Sequence, residues 1–194
     1  LLSDNKEFRS MGRNKLYTDE MISNIDAKIL VVDDNENIHR DYKEVLQNEQ
    51  SSDDDLISIV IGESLNNEYG QFPFKKMTLD FASSSDEAIE KVNKSYNNNS
   101  PYHIIFTDIK MPPGDDGIIT IKKIWEKYPE QQIIIVTAYS EYHFADINKT
   151  LGVRKPNLFM IKKAFDSDSL KLMTQSLIIQ EEINRFCQMN TENK

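Results

Sequence analysis

The chain has 194 residues, enough for one substantial hydrophobic core with an appendage but short for two full domains. Hydrophobic residues make up 39% of it and aromatics 9%, which excludes global disorder. The formal net charge of −9 argues against a nucleic-acid surface, since the dense basic patches amount to pairs such as Lys75-Lys76 and Lys122-Lys123.

The single cysteine, Cys187, can form neither an internal disulfide nor a thiolate zinc site by itself, and so fits a reducing compartment. No apolar run approaches the roughly 20 residues that span a bilayer, and the first residues lack a secretory apolar region. The expectation is a soluble, cytoplasmic protein without membrane contact. The Leu-Leu start and polar end suggest a trimmed piece of something longer.

In chain order, residues 1–27 form an N-terminal extension with a short helical pattern over 17–25. The run 28–33 (KILVVD) then reads as the first strand. Ile38, Tyr42 and Val45 follow at i, i+4 and i+7 and give a first helix one apolar face. Residues 49–76 are an insertion, longer than the few residues a connection needs, in which 53–55 cap a short helical pattern.

A second strand is expected at 77–82 (MTLDFA). After it, Ser85 caps a helix with Asp86 and Glu87 in the first turn and Ile89, Val92 and Tyr96 as its face. Residues 97–99 read as a loop tip. Strands at 103–108 (HIIFTD) and 132–137 (QIIIVT) flank a helix striped by Ile118, Ile121, Trp125 and Tyr128. Phe144, Ile147 and Leu151 mark a further helix that Gly152 closes, and 158–162 (LFMIK) is the fifth strand. A last helix runs from about 166 to 189; beyond 180 it outruns the sheet, which suits a partner helix. His39, His103 and His143 have no metal-ligand spacing and read as surface or boundary residues.

Strand and helix alternate five times, and the first, third and fourth strands are almost continuously apolar. That pattern belongs to a parallel sheet covered on both faces. Ligands of such sheets sit beyond the carboxyl ends of the strands. Here those ends carry Asp33-Asp34, Asp108, Thr137 and Lys162-Lys163. Gathered carboxylates repel one another, and a hard cation such as Mg²⁺ relieves the repulsion. One carboxylate is then free to attack phosphorus, while an ammonium and a hydroxyl hold the phosphoryl oxygens. Taken singly, each residue has a plainer reading. Asp-Asp can cap the next helix, Asp108 can serve the Pro-Pro-Gly turn, and Thr137 and Lys163 can be structural.

The runs Ile29-Leu30-Val31-Val32-Asp33-Asp34, Thr107-Asp108-Ile109-Lys110-Met111-Pro112, Val136-Thr137-Ala138 and Lys163-Ala164-Phe165 resemble the receiver domain of two-component response regulators. The resemblance covers about 28–180, leaving 181–194 as an extended C-terminal helix and tail toward an output domain. It implies a doubly wound α/β fold: a five-stranded parallel sheet in the flavodoxin-like order 2-1-3-4-5.

It also implies Asp108 as phosphoacceptor, with Mg²⁺ held by Asp34, Asp108 and the backbone carbonyl of Lys110, and Asp33 behind them or bound to the metal through water. Thr137 becomes the switch hydroxyl and Lys163 the phosphate-binding lysine. The implied partners are a sensor histidine kinase or phosphotransfer protein and a phosphorylation-dependent second copy. From the helix patterns, that copy is expected to pair through Ile179, Ile183 and Phe186, through residues 17–25, or through both. Met111-Pro112-Pro113-Gly114 with Thr137-Ala138-Tyr139-Ser140 resembles a receiver subgroup fused to signalling enzymes, and a quorum-sensing response regulator is a further expectation.

Three departures stand out. Ala164 replaces the usual proline after the lysine, Met160 replaces a reporting aromatic, and Lys110 and Tyr139 flank the path of hydrolytic water. Two rivals remain. An aspartyl-phosphate phosphohydrolase is disfavoured by Lys110 where an acid–base Asp is usual, and a pseudo-receiver dimerisation module is motivated by Ala164 and Met160.

Overall fold

The computed structural model describes residues 19–47, 72–111, 117–138, 144–152 and 156–192. The short helical pattern over 53–55, His143, Tyr139 and the Pro-Pro-Gly turn lie outside the described residues. A one-turn helix α1 (Asp19–Ile22) leads into β1 (Asp26–Val32), so Asp26 and Ala27 already belong to the sheet rather than to the extension. The chain continues through α2 (Glu36–Gln47), β2 (Lys76–Ala82), α3 (Ser85–Asn97) and β3 (Ile104–Thr107). It closes with α4 (Gly117–Lys127), β4 (Ile133–Thr137), α5 (Phe144–Leu151), β5 (Leu158–Lys162) and α6 (Ser167–Glu192).

The five strands are parallel in the order β2-β1-β3-β4-β5. Alternation explains why the central strands are apolar throughout. Ile29, Val31, Ile104, Phe106, Ile134 and Val136 pack on one face with Tyr42 and Leu46 of α2 and Leu170, Leu177 and Ile178 of α6. Leu30, Val32, Ile105, Ile133 and Ile135 face the other way, onto Ala88 and Val92 of α3, Ile118, Ile121 and Trp125 of α4, and Ile147 and Leu151 of α5. Burying one such aliphatic side chain is worth about 1.5–3 kcal/mol, so both layers are strongly specified. β5 lies at the edge, and its Phe159 and Met160 are exposed. Among the described residues no helix is long and apolar enough to cross a membrane.

Local details depart from the sequence pattern. The α3 cap is Ser84, not Ser85: its hydroxyl accepts from the Glu87 amide at 3.3 Å, and the Glu87 carboxylate takes the Ser83 amide at 2.8 Å. Ser85 is instead buried and accepts a hydrogen bond from the Thr120 hydroxyl across the α3–α4 contact. In α2 the buried row is His39, Tyr42 and Leu46, with Ile38 and Val45 on its margin. His39 lies against the Phe81 ring, a contact that no ligand-spacing argument reveals.

His103 is likewise buried rather than superficial. Its Nδ1 accepts the Lys28 amide at 3.1 Å, so Nε2 carries the hydrogen and donates to Glu182 of α6 at 2.7 Å. Arg185 donates to Glu182 at 3.3 Å and to the Tyr102 carbonyl at 3.3 Å. The distal part of α6, expected to outrun the sheet, is thus fastened to its strand-entry end as far as Arg185. The His103 hydrogen bond is the main reason that the Glu182 carboxyl titrates below its ordinary value.

A lowered carboxyl pKa contributes stability above the ordinary value of 4.5, and that contribution is lost as pH falls through the folded-state value. Glu182→Ala is expected to speed amide hydrogen exchange in the last turns of α6. The stability gap between wild type and variant is expected to narrow in urea titrations as pH drops below 4.5. Unchanged exchange in distal α6 would show that the fastening does not hold the helix.

Candidate functional site

Each strand end places one chemical group, because the backbone ladder continues one residue past the strand. The Asp33 amide donates to the Ala82 carbonyl at 3.0 Å, that of Asp108 to Val32 at 2.9 Å, and that of Lys163 to Thr137 at 3.0 Å. These bonds tie the ends of β1, β3 and β5 to their neighbours and bring three side chains distant in sequence to one rim.

There the Lys163 ammonium donates to Asp33 Oδ2 at 2.6 Å and to Asp108 Oδ2 at 2.8 Å. Asp108 Oδ1 accepts the Ile109 amide at 2.6 Å, and Asp33 Oδ1 the Asn35 amide at 3.0 Å. Both carboxylates are buried, and the lysine side chain is 16% exposed. Burial opposes the lysine charge, but the hydrogen bonds to Asp108 and Asp33 outweigh it and raise its pKa. With a raised pKa, the bridge contributes full stability below the ordinary value of 10.5 and loses it as pH rises through the higher folded-state value.

A buried ion pair is weak evidence for stability, because apolar residues of similar volume often serve as well. Buried charges clustered on a sheet's ligand-binding rim point instead to chemistry. The remaining residues are arranged around this core. Thr137 is buried beside Lys163 at the end of β4, Asp34 is exposed next to Asp33, and Lys110 is half-buried two residues beyond Asp108. Lys162 is exposed, as strand alternation requires, and Lys163 alone of the pair turns onto the acids. The Lys163–Ala164 peptide is cis without proline.

The donor set suits a hard divalent cation: carboxylate oxygens and a backbone carbonyl at a partly open rim, with Mg²⁺ needing one or two carboxylates and otherwise keeping waters. Among the described residues no three acids gather into a cage.

Gly117 was not singled out in the sequence, yet it is required here. A Cβ at this position would fall 1.9 Å from the Asp108 carbonyl oxygen, and the Gly117 amide donates to the Ile109 carbonyl at 2.7 Å. The first turn of α4 therefore lies directly against the backbone of Asp108. Its one sequence signal is a glycine at the first helical position, where a side chain would ordinarily be tolerated. Gly117→Ala must push the Asp108 backbone aside and is expected to destabilise the fold by about 1–3 kcal/mol. Urea denaturation measures the loss, and a wild-type midpoint would show that the contact relaxes freely.

Comparison with known proteins agrees with this architecture. Residues 53–175 match the model of the response regulator receiver domain. That span contains Asp108, Thr137 and Lys163 and stops short of Asp33, which the sheet nevertheless places against Lys163. The oxygen regulatory protein NreC of Staphylococcus carnosus is 33% identical over 66 residues, 34% of this chain and 28% of that protein. NreC of Staphylococcus haemolyticus is 39% identical over 41 residues, 21% of this chain and 19% of that protein. The matched segments thus span under a third of these relatives' own length.

Among solved structures, the signal receiver domain of a putative LuxO repressor protein from Vibrio parahaemolyticus superposes with a TM-score of 0.58 at 15% identity, covering 84% of this chain and 98% of that one. The signal receiver domain of an HD domain-containing protein from Pseudomonas fluorescens gives 0.55 at 16% identity, covering 82% and 92%. At such identities these likenesses show the fold. With the family match covering more than half of the chain and the sheet order in place, this chain belongs to the response regulator receiver domain family of two-component systems.

Proposed function

We propose that the chain is the phosphoryl-accepting switch of a two-component phosphorelay, modified on Asp108 by a sensor histidine kinase or a phosphotransfer protein. The observation that carries this reading is the Lys163 ammonium held between two buried carboxylates at the strand ends. An Asp108 oxygen forms the new bond to phosphorus while the donor's P–N bond breaks and its electron pair returns to the donor imidazole. Ile109 fixes the carboxyl by its amide at Oδ1, so the nucleophile is oriented before the donor arrives. Lys163 and the Thr137 hydroxyl then hold phosphoryl oxygens.

Mg²⁺, held by Asp34, Asp108 and the Lys110 carbonyl with Asp33 behind them or bound through water, would offset the negative charge that gathers between carboxylate and phosphoryl group. The role is that of a phosphoacceptor with autophosphatase activity incidental, in the cytoplasm, and the net charge of −9 speaks against nucleic acid as a direct partner. Of the two motives for the pseudo-receiver alternative, Ala164 is weakened, because Lys163 reaches Asp108 with Ala164 in place, and Met160 stands.

Phos-tag electrophoresis after incubation with acetyl phosphate is expected to retard wild type only with Mg²⁺ and to leave Asp108→Asn unshifted. A shifted Asp108→Asn, or no shift in wild type, would overturn the assignment.

Output runs through α6 in this reading. Leu172 and Phe186 are exposed and Ile179 and Ile183 half-buried, a row on the side away from Leu170, Leu177 and Ile178. A second copy pairs through this row, more tightly once Asp108 is phosphorylated. Light scattering at tens of micromolar is expected to report a larger mass with beryllofluoride and Mg²⁺ than without. A constant monomer would count against the pairing.

A further inference from the structure

Tyr42 is 1% exposed, and its ring sits between Phe106, centroid to centroid 5.1 Å, and Phe165, at 5.7 Å. Phe106 precedes Asp108 by two residues and Phe165 follows Lys163 by two, so the phenol is wedged between the segments that carry acid and ammonium. Helical side chains lean toward the helix N-terminus. α2 begins at Glu36, next to Asp33 and Asp34, and this lean aims the Tyr42 hydroxyl at the rim.

That hydroxyl is buried and has no hydrogen-bond partner among the described residues. Burial pushes the phenol well above its ordinary pKa, and the charges of Asp33 and then Asp108 push it further. A buried hydroxyl without a partner is unfavourable, so phenylalanine would serve better if packing were its sole role.

Asp33 supplies the complementary need. Its Oδ2 takes the Lys163 ammonium, which also holds Asp108 Oδ2. A phosphoryl group on Asp108 presents further oxygens to that ammonium. As Lys163 turns onto them, the Asp33 carboxylate, with its side chain 4% exposed, loses its charged donor. We propose that Tyr42 is a positioning residue whose hydroxyl is a donor held in reserve, bonding the Asp33 carboxylate when Lys163 moves onto the phosphoryl group of Asp108. The proposal rests on Asp108 being the phosphoacceptor. Tyr42 touches neither donor nor phosphoryl group and acts through Asp33 and Lys163. Its hydroxyl is unpaired in the resting form and paired in the phosphorylated one, which biases the switch toward the latter.

Tyr42→Phe removes the hydroxyl and keeps the ring between Phe106 and Phe165. Two measurements on the full chain test the idea: the urea midpoint without phosphoryl donor, and the affinity for beryllofluoride at saturating Mg²⁺. The variant is expected to be at least as stable as wild type at rest and to bind beryllofluoride at least threefold more weakly. A smaller loss of affinity would show that the ring acts by packing alone, and a variant less stable at rest would show that the hydroxyl is already paired; either overturns the proposal. Wild type that binds no beryllofluoride and takes no label from acetyl phosphate would overturn the phosphoacceptor reading and this inference together. Normal labelling of wild type on Asp108 with an indifferent Tyr42→Phe would remove the role of Tyr42 alone.

Discussion

One ammonium group organises the rim of this sheet. Lys163 reaches Asp33 across 130 positions of sequence and Asp108 across 55, and lies within hydrogen-bond distance of both. Removing the lysine would leave two buried carboxylates facing each other, an arrangement that in other proteins is unfavourable by about 3–5 kcal/mol. The fold therefore brings these strand ends together against a strong penalty and needs the bridge to do so. A bridge of this kind is also a switch element: any group that competes for the ammonium changes the balance at three strand ends at once.

The two faces of the sheet divide the labour. On one face α3, α4 and α5 seal the core, and the first turn of α4 presses on the Asp108 backbone through Gly117. On the other face α2 and α6 flank the central strands, with Tyr42 and Phe165 joining them just below the rim. α6 begins four residues beyond Lys163 and is fastened at its far part by Glu182 and Arg185 to His103 and Tyr102. A displacement at Lys163 thus reaches a helix that spans the sheet from rim to strand entry.

Much of this was legible in the sequence because the strands are doubly buried. Runs such as IIIVT admit little besides a central parallel strand, and the residue after each run then marks the rim. Asp33, Asp108 and Lys163 follow their strands directly, and Thr137 closes its own. What escaped depends on contacts between distant segments. His103 looks like a boundary residue until Glu182, 79 positions later, arrives beside it. Ser84 and Ser85 are indistinguishable as caps until Thr120 claims the second. Gly117 reads as a neutral helix start, since its reason is the Asp108 carbonyl. Tyr42 fits an apolar stripe perfectly well, and only its unpaired hydroxyl sets it apart.

The central claim is that Asp108 itself carries the phosphoryl group. Borohydride reduction converts an aspartyl phosphate to homoserine, so peptide mass spectrometry after acetyl phosphate treatment reads the position directly. The account predicts homoserine at residue 108, dependent on Mg²⁺ and absent at Asp33 and Asp34. Homoserine at either of those positions instead, or at none under conditions where the protein is folded, would contradict it.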